Sequence, residues 1–442
     1  VVIVLVAVVG LIIISGCQSS TSTVEDNRNL SPVEATATNQ PSQTPTAQTL
    51  PTPTVTNAEE DGPITLTFWT VEEVSSMAEG ELGDFFQTSI RNFERTNPDI
   101  NVKVIIKKDS GKGGVIDFLR TAGEAAPSIL PDIAVMNATD LNQAYTNNLI
   151  QGLDGRLDRS IVQDLLPAAR RMGTVEGSLA GVPVGIEMEH TVYNTRTFTS
   201  TLVLWTDVLS ASTGYVFPAK GVNGLVNDVT LSQYFSAGGE LLNSQGIPKI
   251  DDQVLRDVLG FYQHARETGI IDASVLEAST TEELWPIYLE AEASVAQISV
   301  RQYLTDRDLL STSAFGPLPR QNATDTPVNV MHGWVLVLVT KDVNRQDAAL
   351  SLMEYFLSTA QNAAWNRTNK SIPIRDTAYQ QLAGDDPYWA FLAEQLKTAR
   401  PEPRFLEYDR VGRILQQAVE QVIRAEATAE EATTTALDAL AQ

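Results

Sequence analysis

The chain has 442 residues, more than one hydrophobic core usually serves, so two domains and a tail are expected. Its 55 Asp and Glu outnumber 31 Lys and Arg, and the formal charge of −24 repels phosphate backbones, which argues against a nucleic-acid binder. A single Cys excludes an internal disulfide framework and any multi-thiolate metal site, and the widely spaced His190, His264 and His332 form no HExxH motif.

Val1 to Ile14 is almost purely apolar. It falls short of the roughly 20 residues of a bilayer span and has the length of a signal-peptide core. Ile14-Ser15-Gly16-Cys17 follows and resembles the bacterial lipobox: a branched aliphatic, two small residues, then the Cys. That likeness implies a lipoprotein signal over residues 1–17 with Cys17 as the lipid-attachment site, since only a thiol forms the thioether to diacylglycerol. Two or three acyl chains would then anchor the protein stably to the outer face of the cytoplasmic membrane. Residues 18–62 are rich in Ser, Thr, Pro, Gln and Asn and poor in large apolar side chains. Such a segment buries too little surface to offset its ordering entropy, so a disordered tether is expected.

The body begins at Pro63. Ile64 to Trp69 alternates as a strand does. Phe86, Ile90 and Phe93 recur at helical spacing, and Asn97-Pro98 ends that helix. Ile100, Val102, Val104 and Ile106 alternate again, Asp117 to Ala125 reads as a helix, and Pro131 to Met136 as a buried strand. This βαβ order predicts a parallel sheet with helices on both faces. Farther on, Val411, Ile414, Leu415, Ala418, Val419, Val422 and Ile423 form one helical apolar stripe, and a solvated terminal helix is expected from Glu426. Gly111-Lys112-Gly113-Gly114 fits neither phosphate-loop pattern, and no GxSxG or Walker A motif occurs.

Four blocks then carry a more specific likeness: ITLTFWT with FERTNPDINVKV; PDIAVMNATDLNQAYTNNLIQGLDGRL; LAGVPVGIEMEHTVYNTRTF; and FGPLPR with HGWVLVLVTKDVNRQDAALSLMEYFL. In this order they resemble the family 1 extracellular solute-binding proteins, the sugar-type receptors of bacterial ABC importers. The likeness implies a two-lobed α/β periplasmic-binding-protein fold of type II with the ligand cleft between the lobes. It divides the chain into a first lobe of 63–189 plus 315–355 and a second of 190–314 plus 356–442 with the C-terminal helices. It implies a monomer that captures a sugar or related solute by lobe closure and delivers it to membrane permease subunits, with no catalytic residue, metal or cofactor. The rivals are a lipid-anchored carbohydrate-active hydrolase, which needs two suitably spaced acids, and a sensor that uses the binding fold without a transporter.

Sugar sites pair aromatic faces with planar polar groups. By resemblance, the first cleft loop holds Trp69 and Glu72, and Asn137 follows the strand ending in Met136. Glu187 stands before the crossing, where related receptors carry a ligand-binding acid, and His190 lies within it. Asn227 and Asp228 open a helix in a second-lobe cleft loop, and they also suit simple capping. Ser299 and Arg301 follow a strand aimed at the cleft. His332 and Trp334 flank a Gly that lets backbone approach solute, and Tyr408 precedes the long C-terminal helix. Arg301 suits a carboxylate or phosphate, but Glu72, Glu187 and Asp228 would repel an anion, which favours a neutral sugar. Trp205, Trp285, Trp365 and Trp389 read as core.

Overall fold

The computed structural model describes residues 62–442 apart from Ser212; Cys17, the signal segment and the tether up to residue 61 lie outside the described residues. Two sheets organise the body. In the first, the order is Ile100–Ile106, Ile64–Thr70, Ile133–Asn137, Trp334–Leu338, Val182–Pro183. The first three strands run parallel, as the βαβ pattern requires. Trp334–Leu338 comes back from the other lobe and enters antiparallel, pairing Trp334 with Asn137 and Leu338 with Ile133, so the sheet is mixed rather than wholly parallel. Ile133 to Met136 is fully buried, which is why that run is continuously apolar.

The helix Glu81–Thr96 buries Leu82, Phe86, Ile90 and Phe93, and the Asn97 N–H closes it on the Phe93 carbonyl at 2.9 Å. Phe86 stacks on Phe356, with ring centroids 5.9 Å apart, and Phe85 meets Trp365 edge-on. The helices Val343–Leu357 and Thr359–Asn369 thus complete the aromatic layer of the first lobe.

The second sheet runs Arg400–Pro401, Val330–His332, Glu187–Asn194, Ala293–Ser299, Gly214–Val216, with Ser313–Gly316 also pairing on Glu187–Asn194. A separate core packs on one face of it, including Tyr215, Phe217, Tyr262 and the stripe of the helix Tyr408–Ile423, while Val192, Ala296 and Ile298 of the same sheet join the core that continues from the first lobe. The terminal helix Ala429–Ala441 packs on that core through Ala429, Ala432 and Ala436, so it is amphipathic rather than fully solvated.

The lobe limits differ from those expected. Glu189 already pairs with Ser299, so the second lobe starts at about residue 187, not 190. Gly316 pairs with Thr191, so the return to the first lobe occurs at Gly333 rather than at 315. Phe356 and Trp365 pack on Phe86 and Phe85 in the first lobe, and Ile372 hydrogen-bonds Ile186 there, so the first lobe keeps the chain well beyond residue 355. The helix Pro387–Thr398 then leads back to Arg400–Pro401 in the second sheet.

Two crossing strands lie side by side, with Met331 opposite Met188 and His332 opposite Glu187. They are held tightly. Val184 O accepts from the Asn362 and Asn366 amides, each at 3.0 Å, and Val184 N donates to Trp334 O at 2.9 Å. Two guanidiniums bind carbonyls across the junction: Arg404 donates to Met172 O and Ala138 O, and Arg171 to Leu396 O. Met172 and Leu396 lie in the last turns of their helices, where cations are favoured. Among the described residues no helix is long and apolar enough to cross a membrane.

Candidate solute-binding site

Strand parity builds the site. Along Glu187–Asn194 alternate side chains face opposite ways. Met188 and His190 are buried on one face, and Glu187 and Glu189 share the other. His190 sits in an aromatic box: its Nε2 lies 2.8 Å from the Tyr388 hydroxyl, with the Tyr303 and Phe391 rings edge-on. Burial holds its value down at about 4, so it is a neutral structural residue beneath the crossing rather than a solute ligand.

Residues directly opposite in antiparallel strands share a face, so His332 joins Glu187 and Ser299 joins Glu189. Asp228 comes from the first turn of the helix Asp228–Ser236, whose N-cap Asn227 accepts from Thr230 N at 2.9 Å. Asp228 Oδ2 lies 2.8 Å from His332 Nε2, and Glu402 Oε2 lies 3.6 Å from His332 Nδ1. Ser299 caps the helix Val300–Asp306 by accepting from Gln302 N, and its hydroxyl donates to Glu282 at 2.9 Å. Arg301 approaches Glu187 Oε1 at 3.5 Å, an ion pair rather than a good hydrogen bond. Glu282, Asp228, Arg301 and Tyr408 all stand in the first turns of helices, whose positive ends favour carboxylates.

The electrostatics follow from that crowding. Burial pushes Glu187 up to about 7 against the pull of Arg301. Burial, then the Asp228 charge, pushes Glu189 up to about 8. Burial alone would lower His332, but Asp228, Glu402 and Glu189 outweigh it and raise the imidazole to about 10. Glu402 is raised by burial despite His332. Tyr408 is raised too, by burial and then by Glu402 and Asp228.

Several polar atoms here have no hydrogen-bond partner among the described residues: both carboxylate oxygens of Glu187, one of Glu189, and the Tyr408 hydroxyl, which lies beside Glu402 without meeting bonding geometry. The Glu187 side chain is 26% exposed, yet its oxygens are buried. Buried polar atoms without partners are costly and ask for a ligand. Among the described residues no group of three or more His, Cys, Asp or Glu is arranged to hold a metal ion.

Six sequence candidates therefore meet in one cluster: Glu187, Asp228, Ser299, Arg301, His332 and Tyr408. Trp334 starts the strand just beyond His332 and pairs with Asn137 across the first sheet. Asn137 spends its side-chain oxygen on Thr139, accepting from the backbone N–H at 2.9 Å and from the hydroxyl at 2.8 Å. Trp69 does not offer an open face: it is 2% exposed, edge-on to Phe118, with the Lys107 ammonium 4.4 Å from its ring. Glu72 lies exposed in the turn Glu72–Val74. Arg301 is paired with Glu187 and so is not a free anion receptor. Glu189, Glu282 and Glu402 escaped the sequence reading. Glu189 was within reach of it, because period two places it beside Glu187; Glu282 and Glu402 arrive only through tertiary packing.

The architecture and this inter-lobe junction accord with a family match. The model of the bacterial extracellular solute-binding proteins matches residues 88–390. The chain belongs to that family. No curated protein sequence matches it. Among solved structures, the sugar-binding protein MalE from Xanthomonas citri superposes with a TM-score of 0.70 at 17% identity, covering 86% of this chain and 98% of that one. The cyclic alpha-maltosyl-1,6-maltose binding protein of Arthrobacter globiformis gives 0.69 at 18%, covering 86% and 98%. The GacH receptor of Streptomyces glaucescens gives 0.65 at 18%, covering 85% and 97%. These likenesses fix the two-lobed fold of this solute-binding protein.

Proposed function

We propose that this extracellular solute-binding protein is the receptor of an ABC importer, that its solute is a carbohydrate, and that Glu187, Glu189, Asp228, Ser299, His332, Trp334 and Tyr408 line the site. The observation that carries the reading is the set of buried, partnerless oxygens at the crossing of the two lobes. A polyhydroxylated solute supplies O–H donors to carboxylates and an acceptor to the Tyr408 hydroxyl, each bond worth about 1 kcal/mol net. The half-buried Trp334 would add an aromatic face beside them. The similar solved structures include a receptor in complex with acarbose and a binding protein complexed with maltotetraose, which supports the same class of solute.

Sugar capture at a junction of two lobes works by closure, which buries the solute and makes the surface that a permease reads. Small-angle scattering should show a smaller radius of gyration at saturating sugar than without it. An unchanged profile, with binding shown independently by calorimetry, counts against closure. Release of a hydrolysed sugar by the purified protein would instead favour a hydrolase.

The reading includes an anchor at Cys17, supported by the small-residue pair before it. Expressed in a bacterial host, Cys17→Ala should lose lipid labelling and move from the detergent phase to the aqueous phase. Normal labelling of the variant would refute the anchor.

A further inference from the structure

We propose that the solute held at the Glu187–His332 junction is a cationic sugar, a saccharide bearing a protonated amine. The inference rests on the carbohydrate reading above and deepens it. Five carboxylates meet here, from Glu187, Glu189, Asp228, Glu282 and Glu402, and two cations stand among them. Both cations are engaged within the cluster: Arg301 pairs with Glu187, and His332 lies between Asp228 and Glu402. Glu189 has no cation within ion-pair distance among the described residues, and one of its oxygens is buried without a partner.

Tyr408 supplies an independent sign of a ligand. The residue is only 6% exposed, and its hydroxyl sits unpartnered beside the acids Glu402 and Asp228. A hydroxyl in that place offers a donor and an acceptor, which suits a sugar oxygen. The carboxylate excess suits something else. An ammonium brings three N–H donors and a positive charge, and charge-assisted bonds are roughly twice as strong as neutral ones. A neutral sugar leaves Glu189 held in its protonated form, whereas an ammonium lets that carboxyl ionise and pair, and an anion would be repelled by the acids around it. The formal charge of −24 further favours the approach of cations.

Calorimetric titration of the purified full chain tests this with probe pairs that differ only in amine for hydroxyl at C2 of each sugar residue. Glucosamine is compared with glucose, and chitobiose, the deacetylated glucosamine disaccharide, with cellobiose. The amine of at least one pair should bind about tenfold or more tightly than its hydroxyl partner, as expected when a desolvated charge gains a partner. Glu189→Gln should cut that preference about tenfold and leave the melting temperature equal or higher. Equal or tighter binding of the hydroxyl partners overturns the cationic inference and leaves the carbohydrate reading standing. Binding of 1,4-diaminobutane with none of the four sugars overturns the carbohydrate reading as well, as does failure of all five probes. A Glu189→Gln variant that keeps the full preference for the amine also overturns the inference.

Discussion

Moving the protein from about pH 5 to about pH 9 should lower its unfolding free energy by several kcal/mol through this cluster, Glu187 alone contributing on the order of 3 kcal/mol. The sign follows from proton counts. Glu187 and Glu189 are raised from the ordinary 4.5 to about 7 and about 8, so the folded chain binds protons there that the unfolded chain has released. Stability is therefore lost as pH rises through that window. His332, raised from 6.5 to about 10, works the same way: its stabilisation is complete below 6.5 and lost as pH climbs towards 10. Glu402, also raised, adds in the same direction. His190 opposes them at the acid end. Held down at about 4, it makes the protein less stable as pH falls from 6.5.

Urea unfolding at a series of pH values checks the slope. Glu187→Gln with Glu189→Gln should remove most of the fall between about pH 5 and about pH 8, because a neutral amide is desolvated at far smaller cost than a carboxylate. The general repulsion of a highly negative chain remains in both proteins and cancels in the comparison. Parallel curves for wild type and double variant would refute the buried, crowded state assigned to these two acids.

Gly185→Ala should cost about 3 kcal/mol, the upper range for overpacking a rigid site. A Cβ at residue 185 would stand 2.3 Å from Asn366 Oδ1 and 2.9 Å from Ser371 Oγ. Neither neighbour yields easily. Asn366 is 1% exposed, its amide nitrogen donates to Val184 O and Asn362 O, and Ser371 Oγ donates to its Oδ1 at 2.7 Å. Gly333 on the adjacent strand is equally tight, since a Cβ there would meet the Gly185 carbonyl at 2.6 Å. The consequence reaches the site, because Glu187 and His332 lie within two residues of these glycines. Gly185→Ala should thus melt well below wild type and bind solute more weakly even where it is folded. Gly123→Ala, at a position where a Cβ meets nothing within 4 Å, serves as the control and should be near neutral or slightly stabilising. Equal melting of wild type and Gly185→Ala would contradict the close packing of the crossing.

Much of the fold was legible because its signals are local. The strand at Ile64, the helix through Phe86 and Phe93, and the buried strand before Asn137 all show their period in the sequence; the two strands lie within two residues of expectation, and the helix ends at Thr96, before Asn97-Pro98. The crossings were less legible. Nothing in the periodicity of Ser313–Gly316 reveals that it pairs with Thr191–Asn194, or that Phe356 and Trp365 look back to Phe86 and Phe85. Such pairings are long-range and depend on the whole topology. The site divides in the same way. Candidates drawn from strand ends and helix starts of the second lobe converge, because both features are local and the sheet pairing brings them together beside Glu187 and His332. Trp69 failed as an open aromatic face for the opposite reason. Its strand position was right, but Phe118 and Lys107 come from other elements to cover it.

The central claim is that solute binds where the two lobes cross, against the acids of the second lobe. A crystal structure of the protein with a bound sugar, chosen by calorimetry, tests it most directly. The account predicts a sugar whose polar groups lie within hydrogen-bond distance of Glu189 and the Tyr408 hydroxyl, next to Trp334. A bound sugar seated elsewhere would contradict it; the groove at the opposite end of the first sheet, bounded by Asp132, Lys341 and Arg345, is the place to look for that result.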